Sequence, residues 1–265
     1  MRYHFLGFWV LFFFICFFQS PEYTHGNDIQ ARAEEVKVLE HYLKTADVVS
    51  YSVNYEGRTG AWEVFLDDGK VKHRGFFKHV NRSRPRALPD SYQYEIAAYK
   101  LAKLLGIINI PPLVEREIQG VNGSLQIFIE NCRRLSDIRR KQMDFPDPNA
   151  LKNILDGLAL FEVLAGDQCR DEDDILVQSD TWFVYRIDFS EAFDPLKEFD
   201  DDCRITRCPK DLFHKLEKLE GKKIQKDLSP YINETEMAAL LQRKNTIVNN
   251  IKDLIEKHGE EAVLY

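Results

Sequence analysis

The 265-residue chain has five cysteines but no Cys-x-x-Cys pair, so a structural zinc site has no ligand spacing to rest on. It has no basic excess. Its 36 Lys and Arg stand against 43 Asp and Glu, a net charge of −7 spread along the chain. A nucleic-acid partner is excluded on that ground, because there is no basic footprint to meet phosphates. No apolar run reaches the roughly 20 residues that a bilayer-spanning helix needs. There are no internal repeats and no low-complexity segments, which excludes a repeat architecture. A full Gly-x-Gly-x-x-Gly phosphate loop is also missing. The turn Glu56-Gly57-Arg58-Thr59-Gly60 has two glycines only, a weak signal.

What is present begins with an address-like leader. Arg2 and His4 precede Phe5 to Phe18, an apolar run broken only by Gly7. Its length suits the core of a signal peptide. Residues 1–26 are therefore read as a signal peptide or membrane anchor, with export as the expected location and anchoring as the alternative. Membrane contact would be through this segment alone. The cleavage point is open: Pro21 disfavours Ser20, leaving Thr24-His25-Gly26 and the more distant Ala31-Arg32-Ala33. Export would permit disulfides among Cys132, Cys169, Cys203 and Cys208. Cys203 and Cys208 are close enough in sequence to pair, but connectivity cannot be read from the chain.

The remaining ~230 residues suffice for one sizeable core or two packed lobes. Ile29 to Lys44 has helical apolar spacing. Val48 to Val80 reads as three strands, with Asp68-Gly69 a hairpin turn and Lys78 at the end of the third strand. Such a lysine is either an edge-strand cation or a functional group. Ser91 to Leu105 is a helix ended by Gly106, with Glu95 in its first turn. Leu113 to Ile118 and Gly123 to Ile129 read as strands around a Val121-Asn122-Gly123 turn. Arg133 to Asp147 is polar and Pro-bearing, a candidate lobe boundary. Helices follow over Asn149 to Ala165, Pro209 to Leu219 and Glu234 to Glu256, the last with a capping box at Asn233 and Glu236. Strands first and helices after argue an α+β fold.

Leu158 to Phe193 draws most attention. An apolar helix end breaks into an acidic loop, Asp167 to Asp174, and recovers as Ile175-Leu176-Val177, Trp182-Phe183-Val184 and Ile187-Asp188-Phe189. Like charges held this close need a cation or much water. The loop alone is equally compatible with a metal–phosphate site and a solvated acidic surface.

These residues together resemble the atypical protein-kinase-like superfamily that includes secretory-pathway casein kinases, HipA-type kinases and phosphatidylinositol kinases. The resemblance is carried by Ser91-Tyr92-Gln93-Tyr94-Glu95-Ile96-Ala97-Ala98-Tyr99, by Ile110-Pro111-Pro112 and by Ile187-Asp188-Phe189-Ser190-Glu191-Ala192-Phe193. It covers nearly everything from Val49 onward and is similar above all to bacterial members. It implies a two-lobed fold, with a small antiparallel sheet and one helix over 27–145 and a larger helical lobe over 146–265. It implies ATP with Mg or Mn as cofactor. Lys78, oriented by Glu95, would hold phosphates; Asp188 and Asp174 would hold the metal; Glu130 and Asn131 would lie beside the base.

The catalytic loop departs from the family pattern. Alignment on Arg170 and Ile175-Leu176 puts Cys169 where the catalytic Asp stands. A thiol is a poor substitute for a carboxylate that orients a hydroxyl. The implied protein is a nucleotide-binding pseudokinase or a weak kinase. The alternative is an active phosphotransferase on a protein or small-molecule hydroxyl, with Asp167 or Asp171 supplying the acid. A protein substrate or regulated partner is implied in either case.

Overall fold

A computed structural model of the protein describes residues 25–54, 60–82, 90–167, 171–196 and 204–265. The leader through residue 24, most of the turn Glu56 to Gly60, Cys169, Arg170 and Cys203 lie outside the described residues.

Helix α1 (His25–Thr45) leads into strands β1 (Asp47–Val53), β2 (Trp62–Asp67) and β3 (Lys72–Lys78). The β2–β3 turn is built by acid side chains. Asp67 accepts from the Gly69 amide at 2.8 Å, and Asp68 accepts from Lys70 and Val71 at 2.9 and 2.8 Å. Strands β6 (Leu113–Ile118) and β7 (Val121–Ile127) complete an antiparallel sheet of order β1-β2-β3-β7-β6. One face buries Val64, Leu66, Phe77, Leu125 and Ile127 against Tyr42 and Leu43 of α1. Strand alternation puts Arg74, Phe76 and Lys78 on the other face.

Short strands β4 (Asn81–Arg82) and β5 (Asp90–Ser91) pair and set the start of α2 (Tyr92–Leu105). Ser91 caps α2 by accepting from the Gln93 amide, and Gly106 closes it at φ 70°. Ala97, Ala98, Leu101 and Leu105 of α2 join the main core with Leu160, Phe161, Leu164, Phe189 and Phe193.

Strand β8 (Cys132–Arg134) and helix α3 (Leu135–Arg140) precede α4 (Pro148–Ala165). Asp147 caps α4 by accepting from Asn149 and Ala150, with Pro148 in the first turn where its missing N–H costs nothing. After a 3₁₀ turn at Glu172–Asp174, β9 (Ile175–Gln178) and β10 (Val184–Arg186) pair, and the small sheet has order β10-β9-β8. Helices α5 (Lys210–Lys218), α6 (Gly221–Leu228), α7 (Glu234–His258) and α8 (Glu260–Val263) finish the chain. The capping box at Asn233 and Glu236 is formed. Among the described residues, no helix is long and apolar enough to cross a membrane.

Two expectations change, at the β6–β7 turn and at Trp182, and one segment left without elements gains them. The β6–β7 turn is at Gln119 and Gly120, both at positive φ (54° and 78°), two residues before the expected Val121-Asn122-Gly123 turn. Gly123 is a strand residue. A Cβ there would collide with the Lys78 carbonyl and meet the Phe77 ring at 2.6 Å, so glycine lets β7 close on β3 beside Lys78. Arg133 to Asp147 carries the end of β8 and all of α3, and buries Leu135 and Ile138. Trp182, at φ 57°, belongs to the β9–β10 turn and not to a strand.

Candidate functional site

Three elements distant in sequence deliver one charge cluster. Strand β3 ends at Lys78, α2 carries Glu95, and Asp188 follows β10. Lys78 Nζ donates to Glu95 Oε1 and, at 2.8 Å, to Asp188 Oδ1. Glu95 is buried at 4 % exposure and also accepts from the Phe189 amide. The Ser190 hydroxyl donates to Asp188 Oδ1 at 3.0 Å, and the Ser190 carbonyl accepts from the Ser91 amide at 2.8 Å. The start of α2 is thereby fixed to the Asp188 segment.

The electrostatics follow from burial and from the partners. Burial alone would lower the Lys78 ammonium, but Glu95 and Asp188 beside it hold it above its ordinary value. Burial pushes Asp188 up, and Lys78 and Ser190 outweigh this, so its carboxyl stays well below the usual range. Asp188 is ionised in the folded protein. Burial pushes Glu95 up, with Lys78 pulling against it.

Asp188 has a left-handed backbone, φ 64°, unusual for a residue with a side chain. Arg186, at 1 % exposure, holds the local chain. Its Nη1 donates to the carbonyls of Ile187 and Asp188, its Nε donates to Glu162 Oε1 at 2.6 Å, and its Nη2 donates to Asp167 Oδ2 at 2.9 Å. Asp174 Oδ2 lies 3.6 Å from Nη1. The Ile187 amide donates to the Asp174 carbonyl at 2.9 Å. Burial pushes the Asp174 carboxyl up to about 6; Arg186 works against that rise, and Asp188 and Asp171 add to it.

The expected site residues separate into three groups. Lys78, Glu95 and Asp188 meet directly, with Asp174 close enough to feel both Asp188 and Lys78. Asp167 is enclosed at 5 % exposure and held by Arg186, while Asp171 is half-buried and caps the 3₁₀ turn by accepting from the Asp173 amide. Glu130 turns to Arg74, with bonds of 2.6 and 2.9 Å, and the Asn131 carbonyl accepts from the Ser179 amide at 2.7 Å. Neither contact belongs to the Lys78 cluster. Cys169 lies outside the described residues.

Asp174 and Asp188 offer hard oxygen donors of the kind Mg and Mn take. Among the described residues no set of three or more His, Cys, Asp or Glu side chains could cage an ion. Two carboxylates, mutually repelling and partly exposed, fit a divalent cation that completes its shell from water or phosphate oxygens.

Arg186 and Glu162 were not singled out from the sequence. The available signal was a charged residue inside an otherwise apolar periodic helix, Phe161-Glu162-Val163-Leu164, and another at the end of an apolar strand. Buried charges of that kind need partners, and here each is the other's partner.

The fold is the two-lobed protein-kinase-like fold, mixed α+β, and the protein is kinase-like in that sense. No protein-family model matches the sequence, and no curated protein matches it. Solved structures do match. The structure of hydra Fam20 with sugar is 15 % identical at a TM-score of 0.65, over 88 % of this chain and 92 % of that one. A Golgi casein kinase with Mn and ADP bound is 15 % identical at 0.62, over 88 % and 79 %. The proinflammatory kinase CtkA of Helicobacter pylori is 11 % identical at 0.51, over 83 % and 98 %.

Proposed function

We propose that this protein binds ATP with Mg or Mn at the charge cluster of Lys78, Glu95 and Asp188, and that it transfers phosphate weakly or not at all. The observation that carries the reading is the convergence of Lys78, Glu95 and Asp188 from positions 78, 95 and 188 of the chain. A partly buried lysine held between two acids is a preorganised phosphate contact. Nucleotide phosphates would take one of its bonds, and Glu95 would keep its direction. Asp188, released from Lys78, and Asp174 would hold the cation, which shields the phosphate charge. The similar Golgi casein kinase, which holds Mn and ADP, supports the same pairing of ligands.

The weak-transfer part rests on Cys169, which stands where the resemblance calls for an acid. Phosphoryl transfer depends mainly on positioning and charge, so losing that acid lowers the rate without removing the site. A second reading, an active phosphotransferase on a protein or small-molecule hydroxyl, has its own support. Asp171 is half-buried and acts on the charge of Asp174, whereas Asp167 is enclosed and held by Arg186. Asp171 is therefore the better replacement acid. The apolar run Phe5 to Phe18 supports export, with membrane anchoring as the alternative.

A thermal-shift titration with ATP and Mn²⁺ tests binding. Absence of a shift at millimolar nucleotide removes both readings. Incubation with labelled ATP then compares the wild type with Asp188→Asn and Cys169→Asp. Transfer that rises strongly in Cys169→Asp marks the loop as a damaged catalytic loop. Vigorous wild-type transfer, lost in Asp171→Asn, establishes the second reading instead.

A further inference from the structure

Arg186 is fully buried and charged, and a buried ion pair is costly to make. A well-packed apolar side chain would hold β10 against α4 at least as well. The contacts of Arg186 point to a more specific use. Its guanidinium plane is anchored on rigid α4 by Glu162 and lies 4.8 Å from the centre of the Phe189 ring. From that fixed plane, Nη1 reaches the Ile187 and Asp188 carbonyls and stands 3.6 Å from the Asp174 carboxylate. Both carboxylates assigned to the cation are thus referenced to one rigid group: Asp188 through its backbone, Asp174 through its side chain. Nη2 meanwhile donates to Asp167, the closer of the two counter-charges; Asp174 is 30 % exposed.

We infer that Arg186 is a positioning residue: it sets the relative direction of the Asp174 and Asp188 carboxylates, so that a divalent cation arriving with a nucleotide meets both together. The inference rests on the nucleotide and metal reading above. It is specific to arginine, because a planar fork can serve several acceptors in fixed directions and an ammonium cannot. Asp188 makes the need plain. Its left-handed backbone lies in a small allowed region, and the bonds from Nη1 to the two carbonyls hold it there.

The test is Mn²⁺ binding in the presence of ADP, followed by water-proton relaxation, together with metal-free ADP binding by calorimetry. Wild type is compared with Arg186→Lys, which keeps the charge and loses the fork. The expected result is Mn²⁺ affinity lower by about 10- to 100-fold, the range for lost outer partners of metal ligands, with metal-free ADP affinity unchanged because Lys78 still holds the phosphates. A general loosening of the fold would weaken both together. If Arg186→Lys does not fold, Glu162→Gln carries the test; it removes the charge that anchors the guanidinium and should weaken Mn²⁺ alone, by less. A folded variant with wild-type Mn²⁺ affinity overturns the inference, and so does a parallel loss of metal-free ADP binding. Wild type that binds neither ADP nor Mn²⁺ fails at the earlier step and overturns the parent reading with it.

Discussion

Asp174→Asn should stabilise the ligand-free protein and weaken the further stabilisation that Mn²⁺ gives in the presence of ADP. The Asp174 carboxyl is pushed from its ordinary 3.8 up to about 6, chiefly by burial. Between those two values the folded state binds a proton that the unfolded state has released. Stability attributable to this group therefore falls as pH rises from about 4 to about 6, and the full cost stands above that window. A shift of roughly two units corresponds to about 3 kcal/mol. The side chain is 30 % exposed, and water reduces the cost, so about 1–3 kcal/mol is the working range. For a chain of this size that is about 3–8 °C in Tm. Asn keeps the shape and carries no charge, so thermal denaturation of the two proteins should diverge with pH. They should melt together near pH 3.5 and separate through pH 6, with the variant higher, and the gap should stay constant to pH 8. Adding Mn²⁺ and ADP at pH 7.5 should narrow or reverse the gap, because the variant keeps the Lys78 contact to ADP but loses a cation ligand, so the wild type gains more. A gap that is flat from pH 4 to pH 7, or a variant that melts lower throughout, would refute the reasoning.

Other substitutions separate the parts of the cluster. Lys78→Met leaves Glu95 buried without its cation; it should cost about 3–5 kcal/mol by denaturant unfolding and remove the ADP-induced thermal shift. Gly123→Ala should cost about 1–3 kcal/mol, because the new methyl meets the Lys78 carbonyl and the Phe77 ring; calorimetry should show weaker ADP binding alongside the lower Tm. Asp167→Asn should leave most transfer intact, if any is measured with labelled ATP, because Asp167 is enclosed beside Arg186, whereas Asp171→Asn should reduce it.

The acids and the lysine of the cluster were legible because each sits in a recognisable local setting. Lys78 ends a strand, Glu95 lies in the first turn of a helix with a clear apolar stripe, and Asp188 follows a short apolar run. Their convergence was implied only by the family resemblance that the order of those settings carries. Glu162 and Arg186 were not legible. Each looks like an isolated charge in an apolar element, and only the packing of β10 on α4 shows that they neutralise one another. Asn122-Gly123 misled for a related reason. The dipeptide is a strong hairpin signal, but this glycine answers a steric demand from a neighbouring strand that the local sequence does not contain. Helices α3 and α6 are six and eight residues long, too short to establish a period above the charges around them.

The backbone of Asp188 restricts which sequence changes this position can absorb. At φ 64° only glycine, asparagine and aspartate are accommodated at little cost; alanine or a branched residue adds strain to the loss of the carboxylate. Asp188→Asn therefore isolates the chemistry, whereas Asp188→Ala mixes it with a local change of shape. The same restriction acts on descent. A lineage of this fold that held no cation would drift at the position towards Asn or Gly, the neighbours that leave the turn intact. Aspartate, the one tolerated residue with a charge, is what stands at position 188.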